Sequence, residues 1–188
     1  MEAREILLVT GASRGIGAAT AQLAGRRGYT VCLTYLRESE RAAEVVNTIE
    51  RNGASAFAVQ ADMAAERDVL RVFETIDGKR GRLAGLVNNA ATLETQMRLD
   101  QMDAARLERI FSVNVIGSFL CAREAVRRMS SRHGGSGGAI VNVSSGAARL
   151  GSPGEYIDYA ASKGAVETLT IGLAREVAEE GIRVNAVR

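Results

Sequence analysis

With two cysteines, one histidine and no apolar run near the roughly 18 residues of a membrane span, the sequence lacks the raw material for several kinds of site. Cys32 and Cys121 stand singly, one in a predicted strand and one in a predicted helix. That favours two buried free thiols over a disulfide or a metal pair. His133 borders a Gly-Gly-Ser-Gly-Gly loop, a place for a surface residue and not for a ligand or base. No metal site is expected. Net charge is only +2 with basic residues scattered, so electrostatics make no case for nucleic acid. The chain enters its first apolar stretch without a signal-peptide pattern, and with the lone cysteines this points to the cytoplasm. At 46% hydrophobic and 24% charged, the 188 residues suffice for one domain with a substantial core.

What the sequence does have is concentrated first in residues 6 to 22. Ile6, Leu7, Leu8 and Val9 run without alternation, as in a parallel strand covered on both faces. Thr10-Gly11-Ala12-Ser13-Arg14-Gly15-Ile16-Gly17 follows, then an alanine-rich segment of high helix propensity. A glycine turn between a buried strand and a helix N-terminus suits a dinucleotide phosphate. The glycines allow a tight turn and close approach, and the unpaired N–H groups and positive dipole end face the anion. The spacing is Gly-x-x-x-Gly-x-Gly, a relative of the Gly-x-Gly-x-x-Gly fingerprint and not a copy. A glycine turn without a ligand is the plainer alternative.

The remaining elements alternate. Strands are predicted at Tyr29 to Tyr35, Ala54 to Ala61, Leu83 to Val87, Ala139 to Val143 and Ile182 to Val187. Between them fall a helix carrying Ala43, Val46 and Ile49 on one face, and another over 64 to 77 with Val69, Leu70, Val72, Phe73 and Ile76. A long helical region over about 101 to 131 carries Leu107, Phe111, Val115, Phe119 and Ala122, and a last helix runs from Ile157 to Glu179. Such alternation means βαβ units with right-handed crossovers. The expected architecture is an α/β, Rossmann-like, doubly wound parallel sheet of order 3-2-1-4-5-6 with helices on both faces. Ligands bind such a sheet beyond the carboxyl ends of its strands, where the Gly11 to Gly17 turn, Asp62 and Asn88 to Ala91 all fall.

The loop after the fifth strand holds Ser144 and Ser145, and the next helix opens with Tyr159-Ala160-Ala161-Ser162-Lys163. Residues four apart share a helical face. A free phenol has a pKa near 10, and a neighbouring ammonium favours the phenolate, so the pair suits proton transfer. An ordinary surface tyrosine and lysine is the alternative. Tyr156 has Ala160 four residues on and is read as a loop residue.

These motifs together resemble the short-chain dehydrogenase/reductase family. Thr10 to Gly17 is similar to its cofactor turn, and Asn88-Asn89-Ala90-Ala91 to its Asn-Asn-Ala-Gly segment, with alanine last. Asn114 in Ser112-Val113-Asn114-Val115 is similar to its helix asparagine, and Ser145 and Tyr159-x-x-x-Lys163 to its catalytic serine and Tyr/Lys pair. The resemblance spans Ile6 to Val187 and implies an oxidoreductase interconverting a carbonyl and an alcohol on a nicotinamide cofactor. It implies proton transfer by Tyr159, with Lys163 tuning the phenol and holding the nicotinamide ribose. Ser145 would bond the substrate oxygen, with Ser144 as its rival, and Asn114 would hold a water leading from Lys163 to solvent. The cofactor set it implies is Gly11, Ser13, Arg14, Gly15, Ile16 and Gly17 in the turn, with Asp62 and Met63 near the adenine. Asn89 and Ala90 would line a ribose. The family continues past the position of Arg188 with a Pro-Gly segment, a lid and an edge strand, so this single domain is expected to be incomplete relative to it.

Two further expectations concern partners. An acid at the end of strand two would hold a ribose 2′-hydroxyl, but that strand ends Leu33-Thr34-Tyr35-Leu36-Arg37. With Arg14 and Arg37 nearby, NADP is expected over NAD. A surface role for both arginines, with Glu38 or Glu40 reaching a hydroxyl, is the alternative. The small-molecule carbonyl or alcohol itself is not encoded recognisably in Leu93 to Met102 or Arg149 to Ile157. Apolar stripes on the helices near 103–131 and 157–179 (Phe111, Phe119, Val126; Ala165, Leu169, Leu173, Val177) and the family resemblance imply a homodimer or homotetramer through those helices.

Overall fold

The computed structural model describes residues 5–188. Six strands form one sheet, β1 (Glu5–Val9), β2 (Thr30–Tyr35), β3 (Ala56–Gln60), β4 (Arg82–Asn88), β5 (Gly138–Val143) and β6 (Ile182–Val187). Their order is β3-β2-β1-β4-β5-β6 and every pairing is parallel. The chain winds outward from β1 in both directions, as the alternation of elements predicts. Its switch point lies between β1 and β4, where Val9 faces Leu33 on one side and Val87 on the other.

Helices α1 (Gly15–Arg26) and α2 (Ser39–Arg51) cover one face, closing a core around Val9, Ala21, Val31, Leu33, Val45 and Ile49. On the other face α3 (Glu66–Asp77), α5 (Gly117–Met129) and α7 (Ile157–Glu176) pack over Ile6, Leu8, Phe73, Leu86, Met129 and Ile140. Burying side chains such as Phe73 and Ile49 contributes about 1.5–3 kcal/mol each. The two cysteines are free and buried, both in the core that α3, α5 and α7 cover. Burial pushes the Cys121 thiol up to about 12, so it is inert packing.

Three readings of the sequence are corrected in detail. The inward face of α2 carries Ala42, Val45 and Ile49, so Ala43 and Val46 lie to the side. Apolar residues at 42, 43, 45, 46 and 49 make two adjacent stripes, and the seat of Ile49 over Gly25 selects one of them. The long helical region is α4 (Ala104–Phe111), a wide π turn over Ser112–Ile116, then α5, and the single-turn α6 (Ala147–Leu150) stands between β5 and α7. The buried residues of the long region include Ile110, Asn114, Ser118, Cys121, Ala125 and Met129, with Ala122 as expected, while Phe119 is 49% exposed. The last helix ends at Glu176, and Val177 belongs to the chain's own core and not to an outer stripe.

Candidate active site

At the carboxyl end of β1 the chain turns at Gly11, whose φ of +61° favours glycine and whose added Cβ would lie 2.8 Å from the Ala90 Cα. The turn is held by side chains from the neighbouring strands. Thr34 Oγ1 accepts the Gly11 N–H at 3.0 Å, and Thr10 Oγ1 accepts those of Asn89 and Ala90, each at 3.0 Å. Asn89 Nδ2 donates to the carbonyls of Thr10 and Gly11 at 2.8 and 2.9 Å. Gly17 must be glycine for this lock to close, because a Cβ there would meet Asn89 Nδ2 at 2.5 Å. Gly15, at φ +59°, faces open space, and Arg14 is the residue before the first turn of α1.

A cleft of about 570 Å³ opens here. Gly11, Ser13, Arg14, Arg37, Asp62, Met63, Asn89 and Ala90 all line it. Gly15 and Ile16 are exposed at the mouth of α1, and Gly17 is buried beneath. Glu38 also lines the cleft, but its carboxylate pairs with Arg41 at 3.3 Å. Arg14 and Arg37 are exposed and have no carboxylate partner among the described residues. Asp62 is set by its own turn: its N–H donates to Asp68 Oδ2 at 2.9 Å, while its Oδ1 accepts the Ala64 N–H at 2.9 Å. The open backbone at Gly15, the free N–H groups of α1 and the two unpaired guanidinium groups fit a phosphate-bearing dinucleotide.

Beyond the ends of β4 and β5 lies a second group of residues. Lys163 is 3% exposed, and its Nζ donates to the Val143 carbonyl at 2.7 Å, 5.6 Å from the Tyr159 ring centre. Burial lowers its pKa from 10.5 to about 8. Ser144 is spoken for, since its hydroxyl donates to Glu167 Oε1 at 2.7 Å. Arg188 and then Ser144 hold that carboxyl down at about 2. Ser145 Oγ only accepts the Ala147 N–H at 3.2 Å, so its proton is uncommitted among the described residues. Tyr156 caps α7 from outside, while Tyr159 sits in its first turn.

Asn114 lies in the π turn, 1% exposed. It exchanges two bonds with the backbone of Thr92, at 2.7 and 3.0 Å, and donates to Ser162 Oγ at 3.0 Å. Ser162 in turn donates to the Tyr159 carbonyl at 2.7 Å, so the asparagine ties the loop after β4 to the turn carrying Tyr159 and Lys163. A π turn inside an α-helix is a frequent mark of a functional position. Ser162, Arg106 and Asp158 were not singled out by sequence reasoning, and Thr34 was noted only as the place where an acid is lacking. Ser162 lies inside the Tyr-to-Lys segment and was within reach, but the 52-residue separation of Arg106 and Asp158 carries no spacing signal.

The family model described as short chain dehydrogenase matches residues 5–188. The uncharacterized oxidoreductase YgfF of Escherichia coli K12 is 57% identical over 183 residues, covering 97% of this chain and 74% of that protein. The 3-oxoacyl-acyl-carrier-protein reductase FabG of Staphylococcus aureus is 36% identical over 187 residues, covering 100% of this chain and 74% of its own length. A short chain dehydrogenase from Burkholderia cenocepacia, solved in complex with NADP, superposes with a TM-score of 0.90 at 36% identity. The match covers 97% of this chain and 72% of that one. Fold, motif order and relatives agree, and the chain belongs to the short-chain dehydrogenase/reductase family.

Proposed function

We propose that this chain is an NADP-dependent reductase or dehydrogenase that interconverts a carbonyl and an alcohol through Tyr159, Lys163, Ser145 and Asn114. The cofactor supplies or accepts the hydride. Tyr159 holds the proton that moves to or from the substrate oxygen, and Ser145, with its hydroxyl proton uncommitted, donates to that oxygen. Lys163 brings a positive charge beside the phenol from a buried position, and Asn114 holds the turn that carries both. The observation that carries the reading is the buried Lys163 ammonium beside Tyr159, at the sheet end where the glycine-turn cleft also opens. Replacing Tyr159 by Phe tests it, with NADPH oxidation followed against aldehydes, ketones, sugars and acyl β-keto compounds. Loss of turnover by about 100-fold or more is expected for a positioned acid–base group. Retained turnover contradicts the mechanism.

NADP is favoured over NAD by Thr34, whose hydroxyl is tied to the turn where an acid would stand, and by the unpaired Arg14 and Arg37 in the cleft. Self-association through α5 and α7 belongs to the same reading. An apolar groove lined by Val115, Phe119, Ala122, Val126, Ala165 and Leu169 runs across the two helices and suits the same face of a second copy. Light scattering at micromolar concentration should give at least a dimer, and a monomer contradicts that assignment. Among the described residues no helix is long and apolar enough to cross a membrane.

A further inference from the structure

Arg106 on α4 and Asp158 on α7 are each 3% exposed, and they meet across 52 residues of sequence. Arg106 Nε donates to Asp158 Oδ2 at 2.7 Å and Nη2 to Oδ1 at 3.4 Å. The remaining prong, Nη1, donates to the Thr95 carbonyl at 2.7 Å. On the other side, Asp158 Oδ1 accepts the N–H of Tyr159 at 2.9 Å. A continuous chain of hydrogen bonds therefore runs from the loop after β4, through one guanidinium and one carboxylate, into the backbone of the tyrosine itself.

The same loop is fastened by weaker ties. Arg109 grips Glu94 through two bonds at 2.8 and 3.1 Å at the surface, and the Met97 N–H donates to the Glu155 carbonyl at 3.0 Å. Asn114 also joins this loop to α7, through Thr92 and Ser162, but the Arg106 fork is the link that runs through Asp158 to the Tyr159 N–H. Burial alone pushes the Asp158 carboxyl up, but Arg106 together with the Tyr159 N–H more than offsets this and holds it below the usual carboxylate range. Both partners stay charged at neutral pH. Two buried charges are an expensive way to join helices, since apolar side chains of equal volume often do so at least as well. What apolar contacts cannot supply is direction: the planar fork fixes three acceptors at set angles.

We infer that Arg106 and Asp158 are a positioning pair. Through it the Thr95-bearing loop and the first turn of α7 form one unit, which sets where a substrate carbonyl lies relative to the Tyr159 phenol. The inference rests on the catalytic reading given above. Neither residue touches the reacting atoms.

The test uses the full chain with NADPH and a carbonyl substrate from the screen, each variant assayed well below its own melting temperature. Arg106→Met, Arg106→Lys, Asp158→Asn and the double variant Arg106→Met/Asp158→Asn form the series. NADPH affinity, read from cofactor fluorescence, should stay within about twofold of the parent, because the cleft is built elsewhere. The kcat should fall about 10- to 100-fold in Arg106→Met and in the double variant, the scale of a misplaced reacting group, and KM should rise. Arg106→Lys keeps the charge without the fork, so it should recover melting temperature more than kcat. If single variants fail to fold, the double variant decides, because it leaves no buried charge unpaired. Parental kcat and KM in the folded double variant overturn the inference, as does a kcat that merely tracks melting temperature across the series. Failure of the underlying catalytic reading looks different, because Tyr159→Phe would then keep its turnover whatever this pair does.

Discussion

The turn that floors the cleft at the end of β1 is shaped by glycine backbone, whereas the region around Tyr159 and Lys163 beside β4 and β5 is held by buried polar side chains. In the cleft, Gly11, Gly15 and Gly17 give the chain its path, and short contacts from Thr10, Thr34 and Asn89 hold it there. Around Tyr159 the support comes from Asn114, Ser162, Arg106 and Asp158, above a second polar layer inside the sheet. There Asn88 Nδ2 donates to Asn142 Oδ1 at 2.9 Å, and Asn142 donates to Thr170 Oγ1 at 2.9 Å. A surface that receives phosphate needs N–H groups and space, which glycine provides. A surface that moves a proton needs side chains held in fixed places, and these need buried partners.

The sharpest way to break the first half of this comparison is to add one methyl group. Gly17→Ala places a carbon 2.5 Å from Asn89 Nδ2 and 2.9 Å from the Ala12 Cα, so either the lock or the turn must shift. The expected cost is about 1–3 kcal/mol of stability, together with weakened cofactor binding, read by thermal melts and fluorescence titration. An unchanged affinity would mean the lock does not shape the cleft. The second half is probed by pH. Lys163 titrates at about 8 in the folded chain against an ordinary 10.5, so between those values the unfolded chain binds a proton that the folded chain lacks. Stability of the cofactor-free chain relative to Lys163→Met should therefore rise across that window. The rise should total on the order of 3 kcal/mol and be absent well below pH 8, where both states are protonated. A flat difference from pH 7 to 11 contradicts the burial of this charge.

The turn between β1 and α1 was legible in the sequence because its signals are local. A glycine turn of fixed spacing, an apolar run before it and alanines after it occupy fewer than twenty consecutive positions. Strand order was legible for a similar reason, since regular alternation leaves few right-handed arrangements. Tyr159 and Lys163 could be read from their four-residue spacing. The partners of these residues could not, because the links that hold the tyrosine's turn run from Asn114 to Ser162 and from Arg106 to Asp158, between elements whose contact only the fold creates. The outer stripe at Phe119 was visible as a period, but periodicity alone does not say whether a face meets the sheet or another molecule. The structure leaves Phe119 half exposed on α5 and returns Val177 to the core.

On the proposed function, two surfaces of different construction share the work, one selecting the cofactor and the other moving the proton. The most direct test measures the ratio of dissociation constants for NADP⁺ and NAD⁺, with kcat, in the parent chain, in Arg37→Ala and in Tyr159→Phe. A guanidinium on a 2′-phosphate makes charge-assisted bonds of about 1.5–3 kcal/mol, so Arg37→Ala should move the ratio toward NAD⁺ by about tenfold or more. Tyr159→Phe should lower kcat by about 100-fold or more and leave that ratio where it was. A preference untouched by Arg37→Ala, or a rate untouched by Tyr159→Phe, contradicts the account.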